Sequence, residues 1–507
     1  MCGIWCFLGE ADAFPDPDFP VCVAALTPRG PEHTAIRAIP SSGSASAVLG
    51  FTRLAINGVG PDGNQPFVHD NVHVICNGEI YNHNALAEYW SIASSSRSRS
   101  DCAVIGPLYA RMEPGLLFRA LDGVFALIIV DVPSNRVYVA RDPYGVRPLF
   151  QGRLGAAFVW SSEIKGLHPL CIDVRPFPPG TWQSHELASG RLIESRRYHD
   201  IPSVSISGMD EHMAQHCLRS ALVQSVRKRL LTERPIGALL SGGVDSSLVA
   251  AILAREIAPR KLQTFTIGFK GSPDLQYART VAERIGSEHH EIVSTEEEFR
   301  QAVPAVIRAI ESYDVTTVRA SVGNWLVGKY IREHTDVKVV FNGDGSDEIG
   351  GGYKYMRFAP SDDAFDTETE RLLSEIHLFD LLRSDRCMAA HGLEARTPFL
   401  DKQVVAAWKS APVKLRRLGR IEKQLLRDAF VYDGYLPADV LWRKKEAFSD
   451  GVSAVDSAPW YSRPDEIVYY RALFASFYPN FHSVIPHMWM PKWVNASDPS
   501  ARALTDK

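Results

Sequence analysis

The stretch that most constrains the fold is "PIGALLSGGVDSSLVAAILAREI", which begins at Pro235. A short apolar run, typical of a buried strand, is followed by glycines and then by apolar residues at helical spacing. The stretches "KLQTFTIGF" and "VKVVFNGDG" repeat this strand and glycine pattern, with helical segments between them. Strands that alternate with helices predict a parallel sheet, with the ligand beyond the carboxyl ends of its strands.

The chain before this region has a different pattern. From Cys2 to about residue 197, short β-rich runs such as "SAVLGFTRLAI" and "VFALIIVDV" are separated by Gly, Pro, Asn and Asp. These runs predict paired antiparallel sheets. The Ser- and Arg-biased segment 91–101 predicts a surface loop.

The length of the chain predicts more than one domain. Its 507 residues exceed the roughly 250 to 300 that a single core accommodates. We expect an N-terminal domain over 2–197, a linker at about 198–212 and a second domain over 213–480. The second domain is expected to be largely helical from about residue 368, and 481–507 is expected to be a C-terminal tail.

Composition and charge exclude several classes of protein. The 55 basic and 59 acidic residues give a net charge of −4, which provides no general attraction for nucleic acid or anionic lipid. The longest apolar run is far short of the ~20 residues that span a bilayer, and the start of the chain does not resemble a signal peptide. The eight cysteines show neither a metal-binding pattern nor a disulfide framework. We therefore expect a cytoplasmic protein without nucleic-acid or membrane partners.

Cys2 follows the initiator methionine, and its small side chain is compatible with removal of Met1 by a methionine aminopeptidase. The mature chain would then begin with a thiol beside a free α-amine. An amine with a pKa of roughly 7.7 to 8 can act as the base that activates a nucleophile. Taken alone, a Met-Cys start is more typical of a small buried residue.

The motifs that follow favour the nucleophile. "RGPE", "TRLAING", "NQPF", "CNGEIYN" and "RSDCAVI" resemble, in order and spacing, the class II glutamine amidotransferases. The resemblance implies an N-terminal nucleophile (Ntn) hydrolase fold, an αββα sandwich of antiparallel sheets. It also implies Cys2 as nucleophile, Asn77 and Gly78 as oxyanion-hole residues that also bind glutamine, and Arg53, Glu79 and Asp101 as the further contacts of glutamine. The chain departs from the family pattern at Ala55 and Asn57, where serine and aspartate are common.

The loop "LLSGGVDSS" predicts a second site. Ser241, Gly242 and Gly243 place consecutive backbone amides at a helix start, where the amides and the helix dipole favour an anion. Asp245 can reach a Mg²⁺ that bridges phosphates. A chance match to such a pattern has a probability on the order of 10⁻³. The loop resembles the PP-loop of ATP pyrophosphatases and implies their α/β parallel-sheet fold.

Six further motifs resemble glutamine-dependent asparagine synthetases, and the resemblance extends from Cys2 to about residue 452. They are "TIGFKGSPDLQYA", "HHEIVST", "IESYDVTTVRAS", "NGDGSDEIGGGY", "LEARTPFLD" and "WRKKEAFSDGV". The resemblance implies an ATP site formed by Leu240, Ser241, Gly242, Gly243, Asp245, Ser246, Ile267, Asn342 and Gly343. It also implies Asp245 and Asp347 as Mg²⁺ ligands, and Asp344, Lys445 and Glu311 as catalytic residues.

Three of these positions carry more specific expectations. Lys445 would meet the phosphate charge, and Glu311 would face the amino group of aspartate or the incoming ammonia. Asp344 stands where glutamate is usual, and Asn342 stands where serine is usual. A shorter carboxylate at position 344 can change the rate or the choice of acceptor, because ~1 Å displacements cost up to about 10²-fold.

The resulting hypothesis is ATP-dependent amidation of aspartate through β-aspartyl-AMP, with ammonia released from glutamine. The expected products are asparagine, glutamate, AMP and pyrophosphate, and the expected partners are small molecules: glutamine, aspartate and ATP. Whether the chain forms a homodimer stays open. The alternatives are a β-lactam synthetase-like enzyme acting on another carboxylate, a glutaminase with an inert second domain, and a non-catalytic scaffold. The intact Cys2 and "SGGVDSS" motifs favour asparagine synthesis.

Overall fold

A computed structural model gives the arrangement of the chain. It describes residues 1–10, 18–42, 45–92, 98–168, 170–202, 206, 208–417, 419–445, 451–453, 460–461 and 465–494. Parts of three predicted segments lie outside the described residues: 93–97 of the surface loop, most of 203–207 in the linker, and 495–507 of the tail. Residues 446–450 of the "WRKKEAFSDGV" motif also lie outside them.

The first part of the described chain forms two six-stranded antiparallel sheets. Their strand orders are β10-β8-β9-β1-β3-β2 and β12-β11-β7-β6-β5-β4. The strands are β1 (Gly3–Glu10), β2 (His33–Pro40), β3 (Ala45–Arg53), β4 (Phe67–His69), β5 (Val72–Ile80), β6 (Gly123–Asp131), β7 (Arg136–Arg141), β8 (Phe150–Leu154), β9 (Ala157–Ser161), β10 (Arg175–Pro176), β11 (Thr181–Glu186) and β12 (Leu192–Arg197).

Strand alternation places the apolar residues of this domain in layers. Ile4, Cys6 and Leu8 of β1 pack against Ile75 of β5 between the two sheets. Helices cover both outer faces: α1 (Asp18–Ala24) packs on the first sheet, while α3 (Ile105–Tyr109) and α4 (Pro114–Ala120) pack on the second. The predicted αββα sandwich is confirmed. A further short helix, α2 (His83–Tyr89), follows β5.

The second part of the chain contains the predicted parallel sheet. Its strands are β13 (Ile236–Leu239), β14 (Gln263–Phe269), β15 (Glu288–Ser294), β16 (Val339–Phe341) and β17 (Glu394–Arg396), in the order β15-β14-β13-β16-β17. All four neighbouring pairs are parallel. The order changes direction at β13, between β14 and β16, which is where ligands bind in folds of this class.

Helices surround this sheet and continue beyond it. They are α5 (Glu211–Lys228), α6 (Val244–Ile257), α7 (Pro273–Ile285), α8 (Glu296–Ile310), α9 (Val315–His334), α10 (Ser346–Gly350), α11 (Asp362–Glu375), α12 (Cys387–Ala389), α13 (Lys402–Ser410), α14 (Val413–Arg417), α15 (Gln424–Ala429), α16 (Ala438–Leu441) and α17 (Glu466–Phe477). A π-helical turn, Leu382–Arg386, precedes α12. Within the described ranges, no helix is both long and apolar enough to cross a membrane.

The described part of the predicted tail is packed against the second domain. Trp489 is buried, and its ring lies 5.4 Å from that of Tyr353. Its backbone N–H donates to Asp314 Oδ2 over 2.8 Å. Residues 481–494 therefore contribute to the core of this domain.

Candidate active sites

Cys2 immediately precedes β1, on the face that points between the two sheets of the first domain. By the two-residue alternation of a strand it shares this face with Ile4 and Cys6, and its side chain packs against their cluster. The thiol donates to the carbonyl oxygen of Leu54 over 3.6 Å. The thiol is therefore held at the edge of the layer between the sheets.

Asn77 lies on β5, in the opposite sheet, and faces the same layer. It follows Ile75 by two residues, and Ile75 belongs to the apolar cluster that Cys2 contacts. The Asn77 side chain is fully buried, yet within the described chain its amide nitrogen and oxygen have no hydrogen-bond partner. A buried amide without partners is rare and indicates a position prepared for a ligand.

Gly78 follows Asn77 at a point where the backbone of β6 comes close. A Cβ atom at Gly78 would collide with the carbonyl oxygen of Val124 and lie 2.7 Å from Cα of Phe125. Glycine is therefore required at this position by packing against β6.

The electrostatic environment of Cys2 depends on the state of the N-terminus. In the described chain Met1 is present and buried, and burial lowers the pKa of its amine to about 6. Burial likewise raises the pKa of the Cys2 thiol to about 11, against the opposing effect of the amine. While Met1 is present, the thiol of Cys2 is neutral at physiological pH. The removal of Met1 stays a prediction.

Two of the three predicted glutamine contacts are held by neighbouring backbone or loop residues. Arg53 Nη1 donates to the carbonyl oxygen of Gly60 over 2.8 Å and to Asn64 Oδ1 over 2.7 Å. Asp101 Oδ2 accepts from the backbone N–H of Ile80 over 2.6 Å, and burial raises the pKa of this carboxyl. Both residues border the strand ends that carry Cys2 and Asn77.

Glu79, the third predicted contact, lies two residues beyond Asn77 on the same face of β5. Its Oε2 accepts from Asn57 Nδ2 over 2.6 Å. Burial raises the pKa of Glu79 well above its usual range, and the neighbouring Asp101 carboxylate adds to this effect. The same oxygen lies 3.4 Å from Arg396 Nη2, which belongs to the second domain.

The second domain contains a cavity of about 230 Å³ at the carboxyl ends of β13, β14 and β16. Most of the residues predicted for ATP and Mg²⁺ line this cavity. They are Leu240, Ser241, Gly243, Asp245, Ser246, Ile267, Asn342, Gly343 and Asp347, together with the predicted catalytic residues Asp344 and Lys445. Gly242, which is also predicted to belong to the ATP site, does not line this cavity.

The loop between β13 and α6 has the geometry expected of an anion-binding turn. Gly242 has a φ of 70°, and a Cβ atom there would collide with Tyr277, so only glycine fits. The hydroxyl oxygens of Ser241 and Ser246 lie 3.0 Å apart across the loop. Gly343 approaches from β16, and a Cβ atom on it would lie 2.7 Å from the backbone nitrogen of Ser246.

Two predicted metal ligands converge on one cation. Lys423 Nζ lies 2.5 Å from Asp245 Oδ2 and 2.5 Å from Asp347 Oδ1, and its side chain is fully buried. Although burial alone would raise it, the ammonium groups of Lys423 and Lys445 hold the pKa of Asp347 well below its usual range. Carboxylate oxygens are the ligands that Mg²⁺ prefers, so this donor pair fits the predicted metal. Among the described residues, no group of three or more His, Cys, Asp or Glu side chains could hold a metal ion.

Asp344 and Asn342 are held by residues of the π-helical turn. Asp344 pairs with Arg383 through one carboxylate oxygen, and within the described chain its buried Oδ2 has no hydrogen-bond partner. Burial raises the pKa of Asp344. Asn342 Nδ2 donates to Ser384 Oγ over 2.6 Å. The two positions of the "NGDGSDEIGGGY" motif that depart from the family pattern are therefore both anchored by side chains from Leu382–Arg386.

Comparison with known proteins extends over the whole chain. Residues 1–178 match the family model described as a glutamine amidotransferase domain, and 217–364 and 357–462 match that described as asparagine synthase. The chain is 40% identical over 564 aligned residues to the glutamine-hydrolyzing asparagine synthetases of Cricetulus griseus and Homo sapiens. Each alignment covers 100% of this chain and 99% of the relative. The chain belongs to the glutamine-hydrolysing asparagine synthetases.

This membership confirms the family and the class of enzyme predicted from the motifs. The relative from Gallus gallus is 41% identical, over 99% of this chain and 98% of its own. Among solved structures, the allosteric regulatory enzyme of purine biosynthesis matches 58% of this chain and 81% of its own, at 17% identity and a TM-score of 0.35.

The structure of this asparagine synthetase does not bring Glu311 to the cavity with the other predicted catalytic residues. Glu311 lies between the domains, where its carboxylate accepts from the backbone N–H groups of Ile164 and Lys165 over 2.9 and 2.8 Å. It also pairs with Arg386 Nη1 at 3.0 Å, and burial raises its pKa. It therefore contacts both domains, and its predicted role toward aspartate or ammonia stays a prediction.

A buried network of charges joins the two domains of this asparagine synthetase near Cys2. Arg29 donates from Nε to the carbonyl oxygen of Cys2 over 2.8 Å. Its Nη1 lies 2.6 Å from Glu163 Oε1 and 2.7 Å from Asp385 Oδ2, so it spans both domains. Arg386 continues the network, with Nη1 3.1 Å from the same oxygen of Glu163.

Sequence reasoning assigned no role to Lys423 or Arg396. Lys423 has a φ of 53°, in a region that non-glycine residues rarely adopt, and such backbone strain is typical of functional sites. Arg396 lies within the quoted "LEARTPFLD" motif, which identified the family without indicating what the arginine contacts. Both are buried cations that pair with carboxylates predicted for the active sites.

Proposed function

We propose that this chain makes asparagine from aspartate, using ATP and the side-chain nitrogen of glutamine. The observation that carries the proposal is the presence of two chemically different sites in one chain. One holds a thiol and, in the same layer between the sheets, a buried amide that has no hydrogen-bond partner among the described residues; the other holds a glycine-rich loop and two carboxylates around one cavity. The first suits acyl transfer and the second suits phosphate chemistry.

In the glutamine site, once Met1 has been removed, the α-amine of Cys2 takes the thiol proton and the sulfur attacks the carbonyl carbon of the glutamine side chain; the proton then passes to the leaving nitrogen. The negative charge that develops on the carbonyl oxygen is stabilised by the side chain of Asn77 and the backbone N–H of Gly78. Ammonia leaves as the thioester forms, and water then hydrolyses the thioester to release glutamate. Arg53 pairs with the α-carboxylate of glutamine, and Asp101 and Glu79 hold its ammonium group.

In the second site, the β-carboxylate of aspartate attacks the α-phosphorus of ATP and displaces pyrophosphate. The resulting β-aspartyl-AMP reacts with ammonia, which displaces AMP and gives asparagine. The amides of Ser241, Gly242 and Gly243 bind phosphate oxygens, and Lys445 faces the charge that develops on them. Leu240 and Ile267 line the nucleotide pocket, with Asn342, Gly343 and Ser246 at its phosphate end.

Asp245 and Asp347 are proposed to hold Mg²⁺. When bound, the ion neutralises phosphate charge and polarises the phosphoryl oxygens. The observation that supports this role is the convergence of both carboxylates on Lys423 Nζ, which marks a position for positive charge between them. Lys445, on the other oxygen of Asp347, adds a second cation beside the same position.

Ammonia released at Cys2 must reach the second site without being protonated by water. One buried apolar cluster contains Leu26, which packs against Gly3 next to Cys2, and also Phe265 and Ile267, which line the cavity. A dry apolar passage through this cluster suits the transfer. Glu311, between the domains, is proposed to meet ammonia on the way rather than aspartate.

The proposal assigns glutamine hydrolysis to residues 2–197 and amidation to 213–480, with 481–507 as the C-terminal segment. The reactions use metabolites of the cytoplasm, and a homodimer is the proposed assembly. The proposed reaction steps depend neither on the cellular compartment nor on the formation of a homodimer.

The test supplies glutamine, ATP, Mg²⁺ and aspartate, and identifies the products. Asparagine, glutamate, AMP and pyrophosphate are expected in equal amounts. Parallel reactions replace aspartate with glutamate, succinate or a β-amino acid of the kind that β-lactam synthetases cyclise. Amidation or cyclisation of one of these in preference to aspartate would overturn the proposed acceptor. Glutamate without pyrophosphate would instead indicate a glutaminase with an inert second domain.

A further inference from the structure

One synthetase-domain arginine reaches the glutamine site with its side chain. Arg396 is 1% exposed, and its Nη2 lies 3.4 Å from Oε2 of Glu79. The guanidinium is fixed in place by Glu394, whose Oε1 lies 2.9 Å from both Nε and Nη2. Nη1 donates to the carbonyl oxygens of Arg229 and, over 2.8 Å, of Leu231. The planar group is therefore held on several sides, and its Nη2 faces Glu79 in an ion pair without a hydrogen bond.

The same residue reaches the phosphate end of the second site with its backbone. Arg396 is the last residue of β17, where it pairs with Phe341 at the end of β16. Its carbonyl oxygen accepts from the backbone N–H of Asn342 over 3.0 Å. Asn342 opens the loop that continues through Asp344 to Asp347 in the cavity. Arg396 therefore contacts the glutamine site through its side chain and the second site through its backbone carbonyl.

The charges around Glu79 make this contact energetically significant. Burial and the nearby Asp101 and Glu394 carboxylates disfavour the ionised form of Glu79, whereas Arg396 and Arg147 favour it. Since Glu79 is 3% exposed, water cannot replace a displaced guanidinium. A small shift of Arg396 therefore changes how strongly Glu79 can bind the ammonium group of glutamine.

We propose that Arg396 is a positioning residue that couples the two sites. ATP in the cavity fixes the loop that begins at Asn342, this loop fixes Arg396, and Arg396 holds Glu79 in the geometry that binds glutamine. The inference rests on the proposed function, because it uses the roles given there to Glu79 and to the loop. Coupling between two binding sites is reciprocal and typically amounts to about 5- to 150-fold in affinity.

The test measures glutamine binding in the Cys2→Ala protein, which binds glutamine without consuming it. Isothermal titration gives the dissociation constant of glutamine with and without α,β-methylene-ATP and Mg²⁺. The nucleotide should tighten glutamine binding at least about five-fold. In Cys2→Ala/Arg396→Gln the nucleotide should have no effect, although the Arg396 carbonyl and its bond to Asn342 remain. Arg396→Lys keeps the positive charge but loses the planar guanidinium group. In this variant the nucleotide should still tighten glutamine binding, but by a smaller factor.

The control is Lys228→Gln, which removes another ion pair between the domains. Lys228 Nζ lies 2.7 Å from Asp122 and 2.5 Å from Asp401, and in the proposal none of these residues contacts a substrate. This variant should keep the full effect of the nucleotide. If Arg396→Gln fails to fold, as judged by thermal unfolding, Arg396→Lys decides the matter: undiminished coupling in it overturns the proposal.

The outcomes separate this inference from the proposed function. Absence of coupling in the Cys2→Ala parent, or full coupling in Arg396→Gln, overturns the coupling role while glutamine still binds. Failure of the Cys2→Ala protein to bind glutamine at all, together with absence of asparagine from the unmodified enzyme, would instead overturn the proposed function.

Discussion

Replacing Lys423 by methionine should destabilise the second domain more than the loss of a surface charge. The lysine side chain is fully buried, and its ammonium group lies 2.5 Å from one oxygen each of Asp245 and Asp347. Methionine has a similar volume, so the main change is the loss of the positive charge. Two neighbouring carboxylates, each largely but not fully buried, then remain without the cation between them.

The burial of this ion pair determines how much stability the Lys423→Met protein should lose. Removal of one partner from a buried ion pair costs about 3 to 5 kcal/mol, because the remaining charge stays out of water. Here the carboxylate side chains are 14% and 17% exposed, and Lys445 still pairs with Asp347. We therefore expect a loss of about 3 kcal/mol, at the lower end of that range.

Urea unfolding followed by tryptophan fluorescence measures the loss, with Lys228→Met as the matched control. Lys228 also lies between two carboxylates, but its side chain is 20% exposed, Asp122 is 25% exposed and Arg229 still pairs with the buried Asp401, so its replacement should cost about 1 kcal/mol or less. Millimolar Mg²⁺ should restore stability to Lys423→Met more than to the unmodified protein, since a bound cation stabilises the native state. Equal losses in the two variants, or no response to Mg²⁺, would refute this account of the carboxylate pair.

Two of the three further predictions concern which reaction each site performs, and the third concerns the ionisation of the Cys2 thiol. Cys2→Ala should abolish asparagine formation from glutamine but retain it from ammonium; loss of both activities would contradict separate sites. Asp245→Asn should prevent pyrophosphate release while glutamine hydrolysis continues, and the reverse result in a coupled pyrophosphate assay would mean that the sites are assigned to the wrong domains. In protein that retains Met1, burial raises the pKa of Cys2 to about 11. Its alkylation by iodoacetamide should then rise about tenfold per pH unit above neutrality, as the thiolate fraction rises; a rate independent of pH would show that the thiol is already ionised.

Much of the architecture follows from local patterns in the sequence. The glycine-flanked apolar runs predicted the parallel sheet, and Gly242 adopts the positive φ that such a loop requires. Strand alternation also places Cys2 and Asn77 in the layer between the two sheets. Cys2 is an even number of residues from the apolar Ile4 and Cys6, and Asn77 is two residues from Ile75, so each faces the same side as those residues. Local periodicity determines which face a residue occupies, so these features could be predicted from the residues alone.

Contacts between distant segments could not be predicted in this way. Lys423 lies in "GRIEKQLLRDAF", which is typical of an exposed charged helix, yet it is buried against carboxylates 178 and 76 residues earlier in the chain. Arg396 acquires its contacts only when β17 pairs with β16 and the two domains pack together. Glu311 illustrates the reverse case, since a motif placed it with the catalytic residues and tertiary packing places it between the domains.

The central claim is that nitrogen moves from glutamine at Cys2 to aspartate in the second site without leaving the protein. The most direct measurement supplies glutamine labelled with ¹⁵N in its side-chain amide, together with ATP, Mg²⁺, aspartate and unlabelled ammonium at a concentration that supports little asparagine formation in Cys2→Ala. Mass spectrometry of the asparagine then reports the origin of its amide nitrogen. The account predicts that ¹⁵N predominates in this position. Asparagine carrying mainly unlabelled nitrogen, diluted in proportion to the ammonium added, would contradict it.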